Sequence, residues 1–233
     1  CKAWVASRAV TGLRRHRLPC LGFVEAGRGR TALSMTDTLK APTETPLDTT
    51  GMTFGSKQEH WDHLCGQGAL PKGFSVGTAG FGFAPAEVNK QSTMNVTVIA
   101  LDEPSKDWAA VFTLNKFPGA PVIVGRDRLK KDGPLQGIVI NNKISNVCPG
   151  GGADAGVGDA ERVCARVAEL HGFAGGAEAV LPSSTGVIGW RLPTAAMLEN
   201  LPLVRGAMQR ESLAPAARSI MTTDRCATGR YSV

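Results

Sequence analysis

Polar and apolar residues alternate most regularly in "STMNVTVIAL", residues 92–101, where Asn95 and Thr97 interrupt an apolar run in the manner of a strand. Further strand signals lie at "AAVFTL" (109–114), "PVIVG" (121–125) and "GIVINN" (137–142), separated by Pro, Gly and charged turns. The short spacing of the first three predicts an antiparallel meander. The period then changes. In "DAERVCARVAELHG", Val163, Val167 and Leu170 give one helical stripe, Asp159 is placed to cap its start, and Gly172 sits where a terminating glycine belongs. "AEAVLP" (177–182) reads as another strand. "TAAMLENLPLVRGAM" (194–208), interrupted by Pro202, and "LAPAARSIM" (213–221) read as helices. Strands come mostly first and helices later, which predicts an α+β layered domain rather than a doubly wound sheet.

Upstream the pattern fades. Ser34 to about Gln58 is rich in Thr, Pro, Asp and Gly without apolar period and reads as a linker; Trp61, Leu64 and Phe74 mark where packing starts. The expected division is therefore a basic extension and linker over 1–60 and one domain over 61–233.

Charge sharpens that division. Residues 1–40 hold eight Lys or Arg against two acids, and the rest of the chain has 18 of each sign, so the net charge of +6 belongs to the leader. A neutral main domain gives no support to nucleic-acid binding. The Arg-rich, acid-poor leader resembles an organelle-targeting region, with mitochondrion favoured over plastid, or a basic extension that an untethered tail would also match. No apolar run approaches the roughly 18 residues of a membrane span. Six widely spaced cysteines without a C-x-x-C exclude a zinc ribbon and a dense disulfide framework, and point to a reducing compartment.

Candidate chemistry is sparse. "PGGGADAGVG" (149–158) stands between a strand and a helix, yet holds no G-x-G-x-x-G and no Walker-type lysine, so it reads as a flexible loop. In "EHWDHLC", His60 and His63 would share a helical face with Cys65 nearby, but no second ligand cluster exists; neither metal nor cofactor is expected. His171 closes a helix, and no G-x-S-x-G supports a Ser–His–Asp arrangement. "VLPSSTGVIGW" (180–190) sets Ser183, Ser184, Thr185 and Gly186 between two apolar runs. This is either a turn or two donors, a hydroxyl and a glycine N–H, converging on one oxygen as an oxyanion hole.

Five stretches decide between these. "ALPKGFSVGTAG", "WAAVFTLNKFPGAPVIV", "GIVINNKISNVCPGG", "SSTGVIGWRLP" and "ARSIMTTD" occur in this order, and the chain from about Ala69 to Asp224 resembles the N-terminal (α) part of the ornithine acetyltransferase family, the bifunctional glutamate N-acetyltransferases of arginine biosynthesis. The resemblance implies an αββα-type sandwich like those of N-terminal-nucleophile enzymes. It implies a self-cleaving precursor whose freed threonine passes acetyl from N-acetylornithine to glutamate by a ping-pong route. It assigns Thr185 and Gly186 to the oxyanion hole and Thr222 to substrate binding. The substrates are small molecules and no cofactor is implied.

The sequence also departs from the family pattern. The family's nucleophile and preceding lysine follow I-M-T-T-D by a few tens of residues, whereas nine residues follow Asp224 here, and Ala227-Thr228 reads as a coincidental dipeptide. Lys143, Ile144 and Pro149 replace small residues and a threonine of the family's N-S-G-N-A-N-A-C-T-G segment. Gly82 or Phe83 stands near where the family places a lysine. Two expectations follow. In one, the chain is the α part of a working acetyltransferase whose nucleophile lies on a second polypeptide. In the other, it is an inactive structural subunit of a larger organellar assembly, contacted through residues 1–60.

Overall fold

A computed structural model describes residues 4–7, 51–223 and 227; the basic leader beyond its strand, most of the linker and Thr228 lie outside the described residues. Strand β1 (Trp4–Ser7) pairs antiparallel with β4 (Trp108–Val111), Trp4 opposite Val111. Helix α1 (Lys57–Gln67) follows, so the helical part begins inside the stretch read as linker. Its start is written in the sequence: the Ser56 hydroxyl accepts the Glu59 N–H at 3.1 Å, and the Glu59 carboxylate reaches back to the Gly55 N–H at 2.7 Å.

The main sheet has the order β2-β3-β5-β6, from β2 (Phe74–Phe83), β3 (Ser92–Ser105), β5 (Leu135–Asn141) and β6 (Val180–Ser184). The β2–β3 hairpin and the β3–β5 pair are antiparallel; β5 and β6 are parallel. Parallel neighbours need a long crossover, and α3 (Gly152–His171) with a short 3-10 turn at Gly176–Ala179 supplies it.

Alternation along β3 sends Met94, Val96, Val98 and Ala100 to one face, all buried. They meet Val163, Cys164 and Val167 of α3 and Met197, Leu201 and Val204 of α4 (Thr194–Gly206) in one core. The opposite face is more polar. There the Thr97 hydroxyl donates to Ser219 Oγ at 2.9 Å, at the end of α5 (Ala214–Ser219). One β layer thus carries a helical layer of α3 and α4 on one face and a short helix on the other, an α+β arrangement as the element order predicts.

Three expectations are corrected. "PVIVG" is not a strand but the first half of α2 (Ala120–Lys131), so the meander runs β2-β3-β5 instead. Its β-branched residues favour strand locally, but Gly119 and Pro121 open a helix, Arg128, Lys130 and Lys131 suit its last turn, and Val122, Val124 and Gly125 are buried inside. "PGGGADAGVG" is not a flexible loop: from Gly152 onward it forms the first two turns of α3. Glycine weakens a helix by up to about 1 kcal/mol per position, which hid those turns, and burial of Gly156 and Asp159 outweighs it. Asp159 is therefore in the middle of the helix and caps nothing. Gly172 does terminate α3, with φ +70°, and α4 continues through Pro202 because Leu201 and Val204 hold it to the core.

Candidate functional site at the end of the parallel strands

The parallel strands β5 and β6 end side by side, Asn141 opposite Ser184. The Ser184 hydroxyl donates to Asn141 Oδ1 at 2.6 Å, while Asn141 Nδ2 donates to the carbonyls of Ile144 at 2.8 Å and Asn142 at 3.1 Å. Asn141 and Ser184 are buried, and each polar atom that the pair brings together is used.

The chain then leaves the sheet without leaving its neighbour. Thr185 N donates to Asn141 O (3.0 Å), Val187 N to Lys143 O (2.8 Å), Ser145 N to Val187 O (2.9 Å) and Gly189 N to Val147 O (2.9 Å). Two irregular segments, 141–147 and 185–189, are zipped together in parallel. In such a zipper alternate N–H groups face the partner, so the Gly186 N–H, between Thr185 and Val187, faces away. Among the described residues neither that N–H nor the Thr185 hydroxyl has a hydrogen-bond partner. Thr185 is half-buried and Gly186 exposed.

Only glycine fits at 186. Its φ is +135°, and a Cβ there would stand 2.2 Å from both the carbonyl carbon and oxygen of Lys143. The close approach is backbone against backbone, with no flexible side chain to yield. The facing loop carries its own strain, with Lys143 (φ +72°), Asn146 (+53°) and Cys148 (+51°) in left-handed conformations that side chains other than Asn and Asp rarely take.

Asn142 ties a third segment to this corner. Its Oδ1 accepts the Asn95 N–H at 2.7 Å, and its Nδ2 donates to the carbonyls of Ser219 (2.9 Å) and Met221 (3.1 Å). Thr222, the residue after Met221, is exposed. Of the residues expected to disturb the loop, Ile144 is fully buried, Pro149 is buried, and Lys143 is half-buried against a cleft of about 550 Å³ that Trp190 and the start of β3 also line. The loop packs closely with these residues in place.

Behind the corner, Asp159 of α3 is 1 % exposed, receives Arg191 Nε at 2.8 Å and also pairs with Arg162. Burial works to raise its carboxyl pKa, but the hydrogen bonds and charges of Arg191 and Arg162 outweigh it and hold it below the usual range. This ion pair fastens the 185–191 segment to the core. Sequence reasoning missed it, as it missed Asn141, Asn142 and the pairing of Ser184 with Asn141. A usable signal was present in the two consecutive asparagines that end an otherwise apolar strand.

The weaker sequence candidates are elsewhere. His171 ends α3, at the opposite edge from the corner, because the crossover must return to the start of β6. Burial, with Arg205 nearby, pushes its pKa down to about 4, and its ring lies 5.3 Å from that of Phe173. His60 and His63 do share a side of α1, where Phe54 stacks on one at 4.7 Å and tilts against the other at 5.2 Å. Among the described residues no three metal-ligating side chains gather, Cys65, Cys148 and Cys164 are free thiols, and no helix is long and apolar enough to cross a membrane.

Known proteins place this chain in a family. A profile of the ArgJ family matches residues 81–232. The mitochondrial arginine biosynthesis bifunctional protein ArgJ of Sordaria macrospora is 37% identical over 161 residues, which is 67% of this chain and 32% of the fungal protein. ArgJ of Nitratidesulfovibrio vulgaris is 37% identical over 158 residues, 67% of this chain and 37% of the bacterial one. This chain thus spans about a third of the length of these relatives. Among solved structures, the ornithine acetyltransferase of Mycobacterium tuberculosis in complex with ornithine superposes with a TM-score of 0.56, at 30% identity over 69% of this chain and 82% of that one. The layered α+β fold is that of these neighbours, of N-terminal-nucleophile type, and with most of its described domain matched the chain belongs to the ArgJ family.

Proposed function

We propose that this chain supplies the oxyanion-stabilising part of an acetyl-transfer site that moves acetyl from N-acetylornithine to glutamate in arginine biosynthesis. The observation that carries the reading is a pair of adjacent donors at the end of β6, the Thr185 hydroxyl and the Gly186 N–H, that have no hydrogen-bond partner among the described residues. Donors built into a rigid backbone corner need no reorganisation when charge develops on a carbonyl oxygen, which is what an oxyanion hole requires.

In this reading a threonine hydroxyl from the part of the ArgJ length that this chain does not span adds to the acetyl carbonyl. The carbonyl oxygen becomes an anion between Thr185 and Gly186. Collapse of that intermediate breaks the acetyl–nitrogen bond. The leaving amine takes up the proton lost by the threonine hydroxyl and departs as ornithine, and an acetyl ester remains on the threonine. The glutamate amine attacks the ester through the same sequence and returns a proton to the threonine. Thr222, next to the Met221 carbonyl that Asn142 binds, contacts substrate. The partner is accordingly a polypeptide carrying the remaining part, and the fungal relatives named mitochondrial support the same compartment for this protein.

The alternative, an inactive structural subunit, draws no support from the corner: the residues that depart from the family pattern are accommodated, and both donors are open. Acetyl exchange between isotopically labelled N-acetylornithine and glutamate, measured on protein purified from its own cells, tests the reading. Exchange at enzyme rates is the expected result. No exchange from protein that contains both parts would overturn it.

A further inference from the structure

Beside the Thr185–Gly186 corner, the cleft of about 550 Å³ is lined by Lys90, Gln91, Ser92, Thr93, Lys143 and Trp190, and no carboxylate lines it. Its sign is therefore wholly positive. Among the described residues, Lys143 is the one basic side chain that is partly buried and has neither an ion pair nor a hydrogen bond. The buried Arg128 and the partly buried Arg126 and Arg166 all have partners. An ammonium removed from part of its water without a counter-charge is costly, and a bound anion removes that cost.

Position joins this charge to the donor pair. The Lys143 carbonyl accepts the Val187 N–H at 2.8 Å, and its backbone is what forbids a side chain at Gly186. The residue holds φ +72°, an unfavourable angle for lysine, and that turn is what brings its side chain to the cleft. Gly82 lines the same cleft.

We propose that Lys143, with Lys90 at the rim, is a specificity-determining residue that binds a carboxylate of the amino-acid substrate whose acetyl group is held at Thr185 and Gly186. This rests on the acetyl-transfer reading above. The ammonium groups pair with the carboxylate, the Ser92 and Thr93 hydroxyls and the Gln91 amide offer further hydrogen bonds, and a cleft of one sign draws in the oppositely charged ligand.

The test compares natively purified wild-type protein with Lys143→Gln, Lys143→Arg and Lys90→Gln. For Lys143→Gln, KM for glutamate is expected to rise about tenfold while kcat changes less than twofold. The preference for glutamate over a primary amine lacking carboxylates falls by about the same factor. Lys143→Arg restores most of it. Lys90→Gln, on the exposed hairpin away from the strained loop, raises KM about threefold and keeps the test decisive should Lys143→Gln fold poorly. An unchanged glutamate preference in Lys143→Gln or, if that variant does not fold, an unchanged KM in Lys90→Gln overturns the proposal while leaving acetyl transfer intact. Calorimetric titration with glutamate separates the two readings: if wild-type protein transfers no acetyl, the parent reading fails, and the titration still decides this one, because equal affinity of wild type and Lys143→Gln, or no binding to either, overturns it.

Discussion

Ser184 and Thr185 are adjacent hydroxyl residues with opposite fates. Ser184 ends the strand, buried, its hydroxyl given to Asn141. Thr185 starts the exit, half-buried, its hydroxyl given to nothing among the described residues. One hydroxyl stabilises the fold and the other is available to a ligand. The contrast shows how a site is made rigid: the available donors stand directly on a fully satisfied polar pair, so the corner cannot relax by turning them inward.

The largest way to break this contrast is Gly186→Ala. The new methyl meets the Lys143 backbone at 2.2 Å with φ at +135°, so the zipper between 141–147 and 185–189 must open. A stability loss of at least about 3 kcal/mol is expected, with the melting temperature as the measurement. A variant that melts like wild type would show that the two segments are not closely joined.

Ser184→Ala acts on the other member of the pair. It leaves Asn141 Oδ1 buried without its donor, at a cost of about 1–3 kcal/mol and roughly 2–12 °C in melting temperature. Folded protein should keep its acetyl-transfer rate within a few-fold. A large loss of rate in well-folded Ser184→Ala protein would mean that structural and chemical roles are not divided between the two hydroxyls.

Acid sharpens the comparison least. His171 has a folded-state pKa of about 4 against an ordinary 6.5, so its stabilisation is complete above about pH 6.5 and is lost as pH falls toward 4, where the unfolded chain takes up a proton that the folded chain refuses. Because the ring is half-buried, solvent screening reduces the effect to about 1 kcal/mol. Asp159, its pKa lowered, adds a further loss as pH falls through its folded-state value. Denaturant melts between pH 7 and 4.5 should show stability falling, and His171→Phe should flatten the curve; a pH-independent midpoint would contradict this.

Much of the fold is legible from period alone: the long alternating β3, the apolar β5 and the stripe of α3 emerge where their patterns predict. What fails, fails where local preference and tertiary burial disagree. The β-branched "PVIV" forms helix because its flanks and its burial favour one, and Gly156 is tolerated inside α3 because its lack of a side chain lets the helix approach the Asn146 loop. The candidate site is half legible. Thr185, Gly186 and Thr222 stand out by motif, whereas Asn141, Asn142 and Asp159 act by pairing with residues tens of positions away, and no local pattern announces that.

The central claim is that the Thr185 hydroxyl stabilises an anionic oxygen and does little for the fold. Its most direct measurement is the acetyl-exchange rate of Thr185→Ala beside its melting temperature. A rate lowered about 10²-fold with a melting temperature within about 2 °C of wild type is the predicted result. An unchanged rate in a folded variant would contradict the claim.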